Sequence, residues 1–391
     1  MNAESNIRVF FTGLVALFPL LFIYTLGGSS FTLADFLLVA FIPVLICYKT
    51  IKCDELHFKS PFLPFLLYVV FHFLLFVILS DEEKFIGSTL RYVLYLCVVV
   101  FGKEFFDFDV CKKIYKWVCI VSTAYLFVQS FLFHFLNYYL PGYIQNSLFP
   151  VVANQIALLE DNLLQTWFSV LRPSSFFAEP AHYSEYVVNY LALSLFCLDK
   201  KRNLYIAIFL TVGLLVSMSS TGILTAFFVW LFFLLSRLNQ IRLPILIGFS
   251  MLPIVFFILV NTSFFSFFLE RMEMGQSASG RFQGYEDLSS SFSSLFDVLF
   301  GFGMDTSVVG TYLAGFARLY VFFGFLGCVC FLCCMGMLFF NKNVDYLRKM
   351  LILVFLFLNV GTELLFQPMV CLFLLLICSE SKEKVFVEEV K

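Results

Sequence analysis

Phe62-Leu-Pro64-Phe-Leu-Leu-Tyr68-Val-Val-Phe-His72-Phe-Leu-Leu-Phe76-Val-Ile-Leu-Ser80 carries no Lys, Arg, Asp or Glu. A helix rises 1.5 Å per residue, so about 20 such residues cross the roughly 30 Å hydrocarbon layer of a bilayer. Reading windows of about 20 residues outward from this stretch gives spans at 8–27, 31–49, 62–80, 86–102, 115–136, 184–198, 204–217, 221–236, 244–263, 314–339, 350–361 and 364–378. The expectation is an all-α polytopic membrane protein of about twelve transmembrane helices (eleven to thirteen), a single integral-membrane domain over 1–391. The pair flanking Ser217-Met218-Ser219-Ser220-Thr221 and the last two spans read equally as separate or as broken helices. A transmembrane barrel would instead alternate over segments of about 10 residues.

Composition agrees. The 391 residues are 61% hydrophobic and 13% charged, with mean hydropathy +0.93 and 56 Phe. Soluble chains carry roughly 45–50% apolar and about 25% charged residues. A soluble enzyme and a disordered chain are thereby excluded. The net charge of −2 offers no basic surface and excludes a nucleic-acid binder.

Lys and Arg are retained on the cytoplasmic side during insertion. With the N-terminus inside, nineteen of the 25 basic residues fall in inner segments, including Lys103, Lys112, Lys113, Lys200, Lys201, Arg348 and Lys349. Four fall outside (Lys84, Arg172, Arg271, Arg281), and Arg91 and Arg318 fall within spans. Both termini are therefore expected in the cytoplasm. The first apolar run is long and lacks a small-residue cleavage site, so no cleavable signal peptide is expected. The twelve cysteines show no disulfide framework. The Cys330…Cys333 spacing lies mid-span among Phe and Leu, where thiols pack as small apolar groups.

Inner loops are short, whereas two outer segments, 137–183 and 264–313, are long enough to suggest function. Each holds an amphipathic stretch. Ile156, Leu159, Leu163, Leu164, Trp167 and Leu171 repeat at helical spacing in the first; Leu288, Phe292, Leu295, Phe296 and Leu299 do so in the second, stopped by Gly301-Phe302-Gly303. Such helices would lie on the leaflet or roof the bundle.

The polar residues beside them are the candidate site. Arg172-Pro-Ser-Ser-Phe-Phe-Ala-Glu179-Pro-Ala-His182-Tyr183 brings an Arg, a Glu and a His to the mouth of one span. Ser277-Ala-Ser279-Gly280-Arg281-Phe282-Gln283-Gly284 precedes the second loop helix; a helix N-terminus favours anions, and an Arg there adds a bidentate phosphate donor. Arg91, Arg318 and Glu363 sit at the outer ends of spans, where charges cost several kcal/mol unless partnered or facing a cavity. Snorkelling to the headgroups is the competing reading for them. A cationic, carboxylate-containing outer pocket suits a pyrophosphate-bearing lipid.

At these residues the sequence resembles the Wzy-type O-antigen and capsular polysaccharide polymerases of the O-antigen polymerase/ligase superfamily. The resemblance rests on Arg172–Tyr183, on Ser219-Ser220-Thr221-Gly222 as a break between spans, on Ser279-Gly280-Arg281, on Leu299-Phe300-Gly301-Phe302-Gly303, and on the topology. It implies a metal-independent glycosyltransferase without cofactor, its site facing the periplasm of a bacterial inner membrane. A growing glycan on undecaprenyl pyrophosphate would pass to the next lipid-linked repeat unit. Glu179 would act as base or base-orienting group with His182 as the alternative, and Arg172, Arg281, Arg91 and Arg318 would hold the pyrophosphate. Tyr183 and Glu363 would contact the glycan or support the site. A Wzz-type chain-length regulator and a Wzx-type flippase are the implied partners, besides the bilayer and the lipid-linked oligosaccharide.

Two alternatives compete. The related O-antigen ligases carry a His in the second outer loop, whereas Thr311-Tyr-Leu-Ala-Gly-Phe-Ala-Arg318 has none. A transporter or lipid-linked oligosaccharide flippase would share the span count. However, the two halves show no internal similarity, and the central connection at 199–203 is only Asp-Lys-Lys-Arg-Asn.

Overall fold

The computed structural model describes residues 3–25, 32–52, 60–79, 84–143, 150–151, 172–196, 202–236, 292, 294–304 and 313–379. Among them the chain is all-helical: α1 Ala3–Leu21, α2 Leu33–Lys52, α3 Leu63–Leu79, α4 Lys84–Gly102, α5 Phe108–Leu136, α6 Pro180–Phe196, α7 Arg202–Val216, α8 Ser220–Leu235, α9 Leu295–Phe300, α10 Gly315–Phe340, α11 Tyr346–Gly361 and α12 Met369–Cys378. Extended pairing among these residues is limited to the isolated bridges Tyr24–Val151 and Thr25–Thr32. Each apolar window is helical over most of its length except 244–263, which lies outside the described residues, as does the amphipathic stretch 156–171. Among the described residues, three segments are long and apolar enough to cross a membrane: Phe85–Phe105, Phe108–Leu136 and Gly315–Phe340.

The exposed surface fits an apolar solvent. On α3, Leu67, Phe71, Leu74 and Ile78 line one face and are 53–80% exposed. Soluble monomers rarely leave so continuous an apolar stripe uncovered. Burial runs the other way on two central helices. Every residue of α12 is buried, and α6 buries Ser184, Glu185, Asn189 and Ser194 along with its apolar side chains. A helix apolar all round belongs in a core, and α12 sits between α1, α4 and α11. The polar groups on α6 mark it as the helix to follow toward a site.

Local chemistry sets several boundaries that hydropathy alone misplaces. Helix α5 starts before the predicted window because the Asp107 side chain accepts from Asp109 N and Val110 N at 3.0 and 3.1 Å, adding turns that carry Lys112 and Lys113. In the second long loop, Ser294 and Asp297 form a reciprocal capping box, so α9 begins at Leu295. The Ser217–Ser219 break separates two antiparallel helices, since Trp230 Nε1 donates to Thr211 Oγ1 across the hairpin (2.9 Å). The last two helices likewise fold back on one another, with the Phe355 and Phe373 rings 5.8 Å apart.

The window 314–339 reads as one span, but α10 is broken at Gly324 (φ 65°, ψ −169°). Only glycine adopts this backbone readily, and a Cβ here would overlap the Leu299 carbonyl. The break frees carbonyls that cannot stay bare in an apolar layer, and each finds a donor. Phe302 N donates to Val321 O (2.8 Å), Gly303 N to Phe322 O (3.1 Å), and Tyr68 Oη to Phe323 O (2.7 Å). Gly301 and Gly303 have φ near +77° and +75°, which lets the chain leave α9 and run along the break. The expected stop at Gly301-Phe302-Gly303 is thus also the strap over a kink.

Candidate functional site

Chain reversals gather at two ends of the bundle. One end holds Arg172, Glu179, His182, the Ser217–Ser219 turn, Arg318 and Glu363, joined through the first turns of α6.

Arg172 is held by its own loop. Ser175, with φ 57°, donates from its N to Gln129 Oε1 (2.8 Å) and from Oγ to Ser122 O (2.6 Å). Gln129 Nε2 also donates to Leu140 O (2.9 Å). The loop is therefore pinned to α5, and Gly142 permits backbone contact with Ser175, since a Cβ there would overlap the Ser175 carbonyl. Nearby, burial and the Tyr143 and Tyr125 phenols push the Tyr139 hydroxyl up to about 12, so it stays protonated. The Arg172 guanidinium reaches Met218 O at 3.5 Å. Ser217 Oγ in the same turn lies 3.2 Å from Ser184 Oγ, which ties the loop, the turn and α6 together.

Glu179 precedes α6, and its carbonyl accepts from Tyr183 N (3.1 Å). Pro180 at the first helical position has no N–H to satisfy. The half-buried Glu179 side chain thus sits at the positive end of the α6 dipole. His182 is half-buried one turn in and receives a hydrogen bond on Nε2 from Gln367 Nε2 (3.0 Å). With the amide as donor, the ring's own proton sits on Nδ1. His182 and Gln367 border a small cavity of about 20 Å³ between α1, α6 and α12.

Glu185 was not among the residues picked out from sequence. It is 1% exposed, hydrogen-bonds Thr362, and lies within electrostatic range of His182, Glu363 and Glu179. Its Oε2 has no hydrogen-bond partner, and such buried orphans call for an explanation. A charged residue two positions into a predicted span was the available signal. Gln367, the other partner missed, lies in the turn between the last two helices, four residues after Glu363.

The remaining candidates divide. Arg318 pairs with Glu363 and lies over the Phe322 ring (5.9 Å). Both charged side chains keep about a quarter of their surface exposed, at 22% and 27%. Asn359 braces this corner, accepting from Leu365 N (2.7 Å), while Gly315 N donates to Thr362 O (2.7 Å).

Arg91 has a different environment. Its Nε lies 3.2 Å from Asp35 Oδ2, and Tyr95 Oη donates to Asp35 Oδ1 (2.7 Å). Asp35 is fully buried and closes a capping box with Thr32 at the start of α2. The Arg91 charge is thus matched by a buried carboxylate within the bundle, while its side chain stays 30% exposed.

Tyr183 is fully buried with Oη 2.8 Å from Thr123 Oγ1, so it braces α6 on α5 as a supporting residue. Arg281 and its Ser277–Gly284 segment lie outside the described residues. Among the described residues no three His, Cys, Asp or Glu side chains cluster to hold a metal. No family model, curated protein or solved structure matches the chain.

Proposed function

We propose that the chain is a polytopic bacterial inner-membrane glycosyltransferase of the Wzy type. It would span the membrane about twelve times with both termini cytoplasmic. It would transfer a growing glycan from undecaprenyl pyrophosphate to the next lipid-linked repeat unit at the periplasmic face. The observation that carries this reading is the convergence of Arg172, Glu179, His182, Glu185 and the Arg318–Glu363 pair at one end of an otherwise apolar bundle. Such a set supplies what the reaction needs. The acceptor hydroxyl oxygen bonds to the anomeric carbon as the bond from that carbon to the pyrophosphate oxygen breaks. A base takes the hydroxyl proton, and cations stabilise the departing pyrophosphate. Glu179, more exposed than Glu185 and set at the head of α6, is the base in this scheme. His182 is the alternative, taking the proton on Nε2 where Gln367 releases it, and Glu185 supports the imidazole from within the bundle. Arg172 and Arg281 hold the pyrophosphate, with Arg318 drawn in where Glu363 releases it. No metal or cofactor enters the scheme, and a Wzz-type regulator and Wzx-type flippase are the expected partners.

The test is an in vitro reaction of purified protein with one undecaprenyl-pyrophosphate repeat unit, without metal or nucleotide. A ladder spaced by one repeat is expected. Arg172→Ala should abolish it in normally inserted protein, and Glu179→Gln should slow it about a hundredfold or more. Absence of a ladder, with the same protein moving the lipid across vesicles, would make it a flippase.

A further inference from the structure

The opposite end of the bundle carries a second concave surface that the proposed transfer does not use. A cleft of about 440 Å³ opens there between the start of α3, the segment after α4, the α10–α11 turn and the end of α12. Ser60, Lys103, Met337, Asn341, Asn343 and Arg348 are among the side chains lining it. Its volume is that of a small-ligand site.

Its two cations differ. Arg348, 6% exposed, is committed to the protein: its Nε lies 3.1 Å from Asp345 Oδ1 and its Nη2 donates to Asn343 O (3.3 Å). These bonds, with Asn343 N donating to Asn341 Oδ1 (2.9 Å), fix the turn that forms one wall. Lys103, half-buried in the short 3-10 turn after α4, has no carboxylate within ion-pairing distance among the described residues. A half-buried ammonium left without a counter-charge favours an anion.

The other wall is apolar and faces outward. Met337 is 56% exposed on α10, and Pro64 is exposed at the start of α3, so the cleft opens onto the surface described above as matched to hydrocarbon. A free anion would need none of this wall. A lipid needs both parts: a cation and amides for its head, and an apolar flank for its chains. The cleft also lies among the segments whose basic residues mark the cytoplasmic side, where anionic headgroups meet basic pockets between helices.

We infer that this cleft binds the phosphate headgroup of an anionic phospholipid. Lys103 carries the phosphate, and the Asn341 and Asn343 amides bond the headgroup hydroxyls. The inference is independent of the transfer reaction proposed above.

The full chain, purified in detergent, is offered phosphatidylglycerol or phosphatidylcholine, and retained lipid is counted by native mass spectrometry. Wild type should retain phosphatidylglycerol preferentially, Lys103→Gln should weaken that retention about fivefold, and Lys103→Arg should restore it. Lys113→Gln, which removes a charge outside the cleft, should change nothing. Equal retention of the two lipids, or equal phosphatidylglycerol retention by wild type and Lys103→Gln, would overturn the proposal. So would inorganic phosphate raising Tm as much as phosphatidylglycerol does, since that marks a free-anion site.

Discussion

Gly324→Ala tests whether the break in α10 is built into the fold. The residue sits at φ 65°, ψ −169°, and forcing a residue with a side chain there costs about 1–3 kcal/mol. The new Cβ would also overlap the Leu299 carbonyl, so the strap must lift. Lifting it breaks the bonds from Phe302 N and Gly303 N to Val321 O and Phe322 O, each worth about 0.5–1.5 kcal/mol. The expected loss is therefore about 2–6 kcal/mol. Gly336→Ala supplies the control on the same helix, because nothing lies within 4 Å of a Cβ there; it should stabilise by about 0.5–1 kcal/mol. Both variants are unfolded by denaturant at fixed detergent concentration and their midpoints compared. Arg318 lies on the segment before the break, so Gly324→Ala should also lower transfer activity. Indistinguishable midpoints for the two variants would refute the kink as an intrinsic, glycine-dependent element.

Arg91 and Asp35 should behave as a structural pair. A cycle of Arg91→Met, Asp35→Asn and the double variant should give a coupling of about 0.5–3 kcal/mol, in the lower part of that range because the Arg91 side chain is 30% exposed. Zero coupling in stability with complete loss of the polymer ladder in Arg91→Met would return Arg91 to the substrate. Gly142→Ala should push the Ser175 backbone away and displace Arg172, lowering activity more than stability; normal activity would mean that the loop's position is immaterial. Gln129→Leu should leave Ser175 N and Leu140 O without their partner and cost about 1–3 kcal/mol, read as a shifted unfolding midpoint.

Much of the helix pattern was legible because it is written locally. A run such as 62–80 must satisfy its backbone internally in an apolar layer, and only a helix does so within one segment. Caps are local too, although hydropathy windows pass over them: Thr32 and Asp35, or Ser294 and Asp297, stand three residues apart and bond across one turn. The Arg172–Tyr183 stretch was found as a site candidate because charges interrupting apolar sequence are conspicuous.

What the tertiary structure alone decided was pairing. Asp35 and Tyr95 meet across sixty residues, and His182 meets Gln367 across 185; nothing in either neighbourhood names the other. Arg91 and Arg172 look alike along the chain, yet one faces a buried carboxylate and the other a backbone turn. The fate of Glu185 follows from α6 lying at the centre of the bundle. Gly324 looks like any helix glycine until the α9 strap lies against it. Hydropathy and capping depend on neighbours in sequence, whereas partners, burial and backbone strain depend on which helices pack together.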